Sequence, residues 1–122
     1  MKFSLIICTY QRPKPLLQLL QSVQEQTLYP DEILIIDGST NEATQFILEQ
    51  NHFQNVHYFL VPKEHRGLTK QRNFGIDKVS ADGEIVCFLD DDTVLSTDYF
   101  EQLVTTFQSD VTISGVGGVA TN

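Results

Sequence analysis

Apolar runs of strand length alternate with segments of helical period along the chain. Residues 3–9, FSLIICT, form a continuous apolar run of the kind buried on both faces of a sheet. Pro13 and Pro15 behind it suit the first turn of a helix, with Leu16, Leu20 and Val23 along one side. EILIID, residues 32–37, predicts a second strand, and Ser39 with Glu42 three residues on has capping-box spacing for a helix carrying Phe46, Ile47 and Leu48. VHYFLV, residues 56–61, predicts a third strand closed by Pro62. The loop KEHRG then leads to a predicted helix over residues 69–79, with Ile76 and Val79 turned inward and Gly75 allowing a close approach. EIVCFL, residues 84–89, predicts a fourth strand. Ser96, Thr97 and Asp98 are candidate caps for an amphipathic helix with Phe100, Leu103, Val104 and Phe107, and VTISGVGGVAT closes the chain as a glycine-interrupted strand.

Uninterrupted apolar strands separated by amphipathic helices predict an α/β fold: a mostly parallel sheet with helices on both faces. The length of 122 residues fits one domain spanning residues 1–122. Ligands of such sheets bind outside the carboxyl ends of the strands, so the residues just past each strand become the candidates. They are Thr9, Tyr10 and Arg12 after the first, and Asp37, Gly38 and Ser39 after the second. Lys63, His65 and Arg66 follow the third, and Asp90, Asp91 and Asp92 the fourth.

Charge narrows what can bind. The formal net charge of -8 repels nucleic acid, so no nucleic-acid partner is expected and an anionic ligand has to be held by local groups. No apolar run approaches the roughly 20 residues of a membrane helix, and the chain reads as cytoplasmic, at the cytoplasmic face of a membrane if it belongs to a longer parent. Cys8 and Cys87 each sit inside an apolar run without metal-ligand spacing and read as buried free thiols. Three consecutive aspartates at the end of an apolar strand repel one another by roughly 1 to 4 kcal/mol per pair, depending on hydration. Water or a cation must offset that repulsion. A hard cation such as Mg²⁺ takes one or two carboxylates, keeps waters and bridges to phosphates, which suits a nucleotide diphosphate.

The segments SLIICTYQRP, EILIIDGST, GLTKQRNFGI and IVCFLDDD, in this order and spacing, resemble the nucleotide-binding half of the family 2 glycosyltransferases, inverting enzymes of the Rossmann-like GT-A fold. The resemblance runs from Lys2 to about Ala120. It implies that Thr9 and Tyr10 line a nucleoside pocket, with Arg12 near the base, and that Asp37, followed by Ser39, matches the acid that hydrogen-bonds a uracil ring. Arg66 and Arg72 would lie near base and diphosphate, and Asn73 and Gly75 complete the RN.G signature. Asp90 to Asp92 would be the DxD motif, with Asp90 facing ribose or sugar, Asp91 the ribose, and Asp92, with Asp90, the Mg²⁺ or Mn²⁺ bound to the diphosphate. The implied donor is a nucleotide-diphosphate sugar, with UDP favoured. The acceptor, a saccharide, a lipid-linked group or a protein, is left open.

Family members also carry a second half that binds the acceptor and supplies a carboxylate general base. That base is expected beyond Asn122, since Asp98, Glu101 and Asp110 read as helix-start or surface acids. The chain is therefore expected to be truncated before the acceptor-binding half and to supply the donor and metal site. The alternative is a nucleotide-binding module without catalysis. DDDTV also fits the nucleophile motif of haloacid-dehalogenase-like phosphatases, but the residues after Val94 contain no lysine, which that chemistry requires. A calcium loop starting at Asp90 fails because Leu95 stands where glycine is needed. An open sheet edge at residues 111–121 would offer a route to homo-oligomers.

Overall fold

The computed structural model describes residues 2–80, 85–93 and 95–109. Four strands, β1 (Phe3–Thr9), β2 (Glu32–Asp37), β3 (Val56–Leu60) and β4 (Ile85–Asp90), form one parallel sheet in the order β3-β2-β1-β4. Among the described residues four α-helices accompany them, α1 (Pro13–Gln24), α2 (Ala43–Gln50), α3 (Leu68–Lys78) and α4 (Tyr99–Ser109), with a single 3-10 turn at Lys63–His65. The chain steps outward from β1 to β3 and then returns past β2 and β1 to place β4. Because parallel crossovers are right-handed, that reversal sends α3 to the opposite face of the sheet from α1. The strand order therefore switches direction between β1 and β4, where such sheets open a crevice at their carboxyl ends.

The pleat sorts the core into two layers. Phe3, Leu5, Ile7, Ile33, Ile35, Ile85 and Cys87 pack against Leu16, Leu19, Leu20 and Val23 of α1 and Phe100, Leu103 and Val104 of α4. Phe3 meets Phe100 edge to face, with ring centroids 4.9 Å apart. On the other face Ile6, Leu34 and Ile36 pack with Val61, and Phe74 and Val79 cover them from the α3 side. Gly75 lets α3 lie directly on this layer, since a Cβ there would stand 2.8 Å from Ile6 Cγ2.

Within the described residues the four strands predicted before the closing one, and the helices, are present to within a residue or two, and Pro13 opens α1 as expected. Two local expectations are overturned. Ser39 does not cap α2, whose N-cap position is Glu42; its hydroxyl is taken by Asp37 and by the Gln11 amide. Ile76 is half exposed, because Gln71 and Gly75 form the inward line of α3 and rotate Ile76 outward. The last predicted strand, residues 111–121, and Glu84 lie outside the described residues. Cys87 stands opposite Leu5 while Cys8 stands opposite Asp90, so the thiols are well apart along the strands, and both are free. Among the described residues no helix is long and apolar enough to cross a membrane.

At the amino end of the sheet, Glu32 is 7% exposed and accepts hydrogen bonds from Ser4 Oγ at 2.6 Å, Ser80 N at 2.9 Å and Ser80 Oγ at 3.1 Å. Burial pushes its pKa up, but these bonds and the nearby Lys2 charge outweigh that and hold it below the usual value. A depressed carboxyl stabilises the fold above its ordinary pKa of about 4.5 and loses that contribution as pH falls through the folded value. Glu32→Gln is therefore expected to be less stable than wild type at neutral pH, with the gap closing in urea melts taken progressively below about pH 4.5. Gly75→Val forces a side chain into Ile6 and is expected to cost about 1 to 3 kcal/mol in the same melts.

Candidate functional site

At the switch point the structure opens a cleft of about 580 Å³ lined by Cys8, Thr9, Tyr10, Arg12, Arg66, Gly67, Leu68, Gln71, Asp90, Asp91 and Asp92. That volume is in the range of small-molecule sites. Seven of the residues singled out in the sequence meet here: Thr9, Tyr10, Arg12, Arg66, Asp90, Asp91 and Asp92. Asp37, Ser39, Arg72 and Asn73 stand outside its lining. Arg72 lies close by on α3, its guanidinium carbon 5.6 Å from the centre of the Phe88 ring, and Asn73 is exposed on the same helix.

The aspartate triplet divides into three environments. Asp91 is 7% exposed and turned into the protein, where it accepts from Thr9 Oγ1 at 2.9 Å and from Arg12 Nη1 at 3.5 Å. Arg12 Nη1 also lies 3.6 Å from Asp92 Oδ2, so one guanidinium spans two carboxylates. Burial raises the Asp91 pKa, the Thr9 bond and Arg12 lower it, and the charges of Asp92 and Asp90 add to the rise. Asp90 and Asp92 remain exposed at the mouth of the cleft. Tyr10 is 52% exposed, with its ring free to meet a planar partner.

The opposite wall comes from the segment leading into α3. Gly67 has φ +113°, a conformation that favours glycine, and it is the N-cap of α3, whose first residue Leu68 also lines the cleft. Arg66 beside it is half-buried, and its Nε is buried without a hydrogen-bond partner among the described residues. On the floor, burial above all pushes the Cys8 thiol up to about 11; Arg72 opposes this and Asp90 and Asp91 add to it. Such a thiol is a poor nucleophile at neutral pH.

Gln71, which the sequence did not mark, ties these parts together. Its Nε2 donates to Ile36 O at 2.9 Å and Thr9 O at 3.1 Å, and its Oε1 accepts from Gly67 N at 3.1 Å. Gly38 must lack a side chain for this, since a Cβ would stand 2.7 Å from Gln71 Oε1. The only sequence signal was a polar residue on the face of α3 shared with Gly75.

Asp37 ends β2 fully buried. One carboxylate oxygen accepts from Ser39 N at 2.9 Å and from Ser39 Oγ, and the other accepts from Tyr58 OH at 2.6 Å. Among the described residues no group of three or more His, Cys, Asp or Glu side chains is placed to hold a metal ion by itself. Asp90 and Asp92 offer oxygen ligands of the type that a hard divalent cation shares with phosphates and water.

The glycosyl transferase family 2 model matches residues 4–121, and the chain belongs to that family. It is 32% identical over 96 residues to a GalNAc(5)-diNAcBac-PP-undecaprenol beta-1,3-glucosyltransferase of Campylobacter jejuni, covering 77% of this chain and 30% of that protein. S. aureus TarS 1–349, solved in complex with UDP-GlcNAc, superposes with a TM-score of 0.75 at 26% identity over 89% of this chain and 32% of the other. A likeness of fold alone relates it to the mannosyltransferase PcManGT of Pyrobaculum calidifontis, solved with GDP-Man and Mn²⁺, at a TM-score of 0.69 and 24% identity, covering 87% of this chain and 32% of that one. The chain spans about a third or less of the length of the curated relatives it matches.

Gln71→Leu removes the side-chain partner of Ile36 O and of the Gly67 amide, while Thr9 O keeps the Gly38 amide at 3.0 Å. The expected cost is about 2 to 4 kcal/mol in urea unfolding, well above that of an exposed polar-to-apolar change on the same helix.

Proposed function

We propose that this chain is the donor-binding portion of an inverting glycosyltransferase that transfers a sugar from a nucleotide-diphosphate sugar, with UDP the favoured nucleotide. The observation that carries this reading is a single cleft lined by two exposed carboxylates, Asp90 and Asp92, together with Arg66, whose buried Nε has no acceptor among the described residues. A metal diphosphate carries both signs of partner: its cation suits the aspartates and its oxygens suit an arginine donor. The N-terminus of α3 reaches the same cleft and favours negative charge. The family membership and the UDP-GlcNAc complex of TarS support the same substrate class.

In this reading Tyr10 and Arg12 receive the nucleoside, and Thr9 holds Asp91 so that it faces the ribose side. Arg66 and Arg72 draw the diphosphate, Arg66 from the segment before α3 and Arg72 from α3 itself, which also carries Asn73. Asp92, with Asp90, holds Mg²⁺ or Mn²⁺. When bound, the cation stabilises the negative charge that develops on the departing nucleoside diphosphate. The protein's own part is to fix the leaving group and leave the anomeric carbon open to attack. Asp98 and Glu101 are occupied elsewhere, with Gln102 and Thr27, and neither lines the cleft, so no described residue is assigned as general base. The lipid-linked substrate in the name of the Campylobacter relative makes such an acceptor a reasonable first choice for assay.

Calorimetric titration of UDP, GDP and dTDP with and without Mn²⁺ tests the proposal. One nucleotide is expected to bind, tighter with Mn²⁺, and Asp92→Asn is expected to remove the Mn²⁺ enhancement while leaving metal-free binding in place. A folded sample that binds none of the three would overturn the reading.

A further inference from the structure

Tyr58 stands on β3, outside the cleft, yet a short series of hydrogen bonds links it to a loop that frames it. Its hydroxyl donates to Asp37 Oδ2 at 2.6 Å. The other oxygen of Asp37 accepts from Ser39 N and from Ser39 Oγ. Since the Ser39 hydroxyl spends its proton on Asp37, its oxygen is free to accept, and it takes Gln11 N at 2.8 Å. Gln11 in turn accepts from Thr40 Oγ1 at 2.5 Å through its side chain. The backbone at Gln11 has φ +51°, a conformation non-glycine residues rarely adopt without support. Gln11 lies between Tyr10 and Arg12, which line the cleft. A chain of directed bonds thus runs from the edge strand to a strained residue flanked by two cleft residues.

We infer that Tyr58 is a positioning residue for the nucleoside end of the cleft, acting through Asp37 and Ser39 on the Gln11 backbone. The inference rests on the donor-site reading above. Asp37 is fully buried and Tyr58 lies beyond it, so the effect is transmitted and not a contact with ligand. Burial and then the Asp37 carboxylate push the phenol's pKa upward, which keeps it a donor throughout the accessible pH range. Its ring also walls a separate cleft of about 330 Å³ with Leu48, Phe53 and Val56, so removing only the oxygen leaves the packing in place.

Tyr58→Phe and Ser39→Ala test the chain at two links. Without any ligand, amide hydrogen exchange at Gln11 is expected to accelerate roughly tenfold in both variants. In titrations with whichever of UDP and GDP the wild type binds, and with its monophosphate, both variants are expected to weaken binding by the same factor, roughly tenfold. The ratio of affinities with and without Mn²⁺ should stay at its wild-type value, and the double variant should be no weaker than either single one. Wild-type Gln11 exchange in Tyr58→Phe, full nucleotide affinity, a changed Mn²⁺ ratio, or losses that add in the double variant would each overturn the inference. Failure of the wild type to bind any nucleotide would sink the donor-site reading instead, and is seen separately from the exchange result.

Discussion

Parallel strands that end side by side leave carbonyls at their carboxyl rim that the ladder no longer serves, and burying those carbonyls unpaired would be costly. Gln71 serves both β1 and β2, with one amide nitrogen between Ile36 O and Thr9 O, the latter shared with the Gly38 amide. Its other amide atom accepts from Gly67 N and so fixes where α3 begins. This side chain thus ties the start of α3 to the ends of both strands, alongside the packing of α3 on Ile6 and Ile36. The glycines at 38 and 67 are conditions for it, one by making room and the other by turning the backbone.

The rim also decides how three adjacent acids can coexist. Asp91 turns inward to Thr9 and Arg12, while its neighbours stay in solvent. The inward residue is paid for by a hydroxyl and a guanidinium that it shares with Asp92, and the outward pair keeps its carboxylates at the solvent side. The mutual repulsion of the triplet is thus divided between an internal partner and the solvent side, which leaves the exposed carboxylates attractive to a cation.

Much of the sheet was legible because continuous apolar runs such as FSLIICT and EILIID have few alternatives to a buried parallel strand. The gathering of Thr9, Tyr10, Arg12, Arg66 and the aspartates followed from a geometric rule about strand ends and needed no knowledge of side-chain contacts. What stayed hidden depends on direction. Identical neighbours in DDD give no sign of which one turns inward. Ser39 and Glu42 had the spacing of a cap, but a fully buried carboxylate two residues earlier competes for the hydroxyl and wins. The spacing of Ile76 and Val79 points both inward, whereas the close approach at Gly75 sets the rotation of α3 and gives the inner line to Gln71. Tyr58 carried no signal at all, since its role comes from a strand pairing that sets Ile35 opposite it and Asp37 two rungs further on.

Cys8 gives the cleft a further property. Sulfur binds a metal as thiolate, and a thiol whose pKa is about 11 stays protonated at neutral pH. The floor of the cleft therefore withholds its one soft ligand, and the donors left at the mouth are carboxylate oxygens. To use that sulfur a thiophilic ion would have to displace a tightly held proton, a cost that ligation by the exposed carboxylates does not carry.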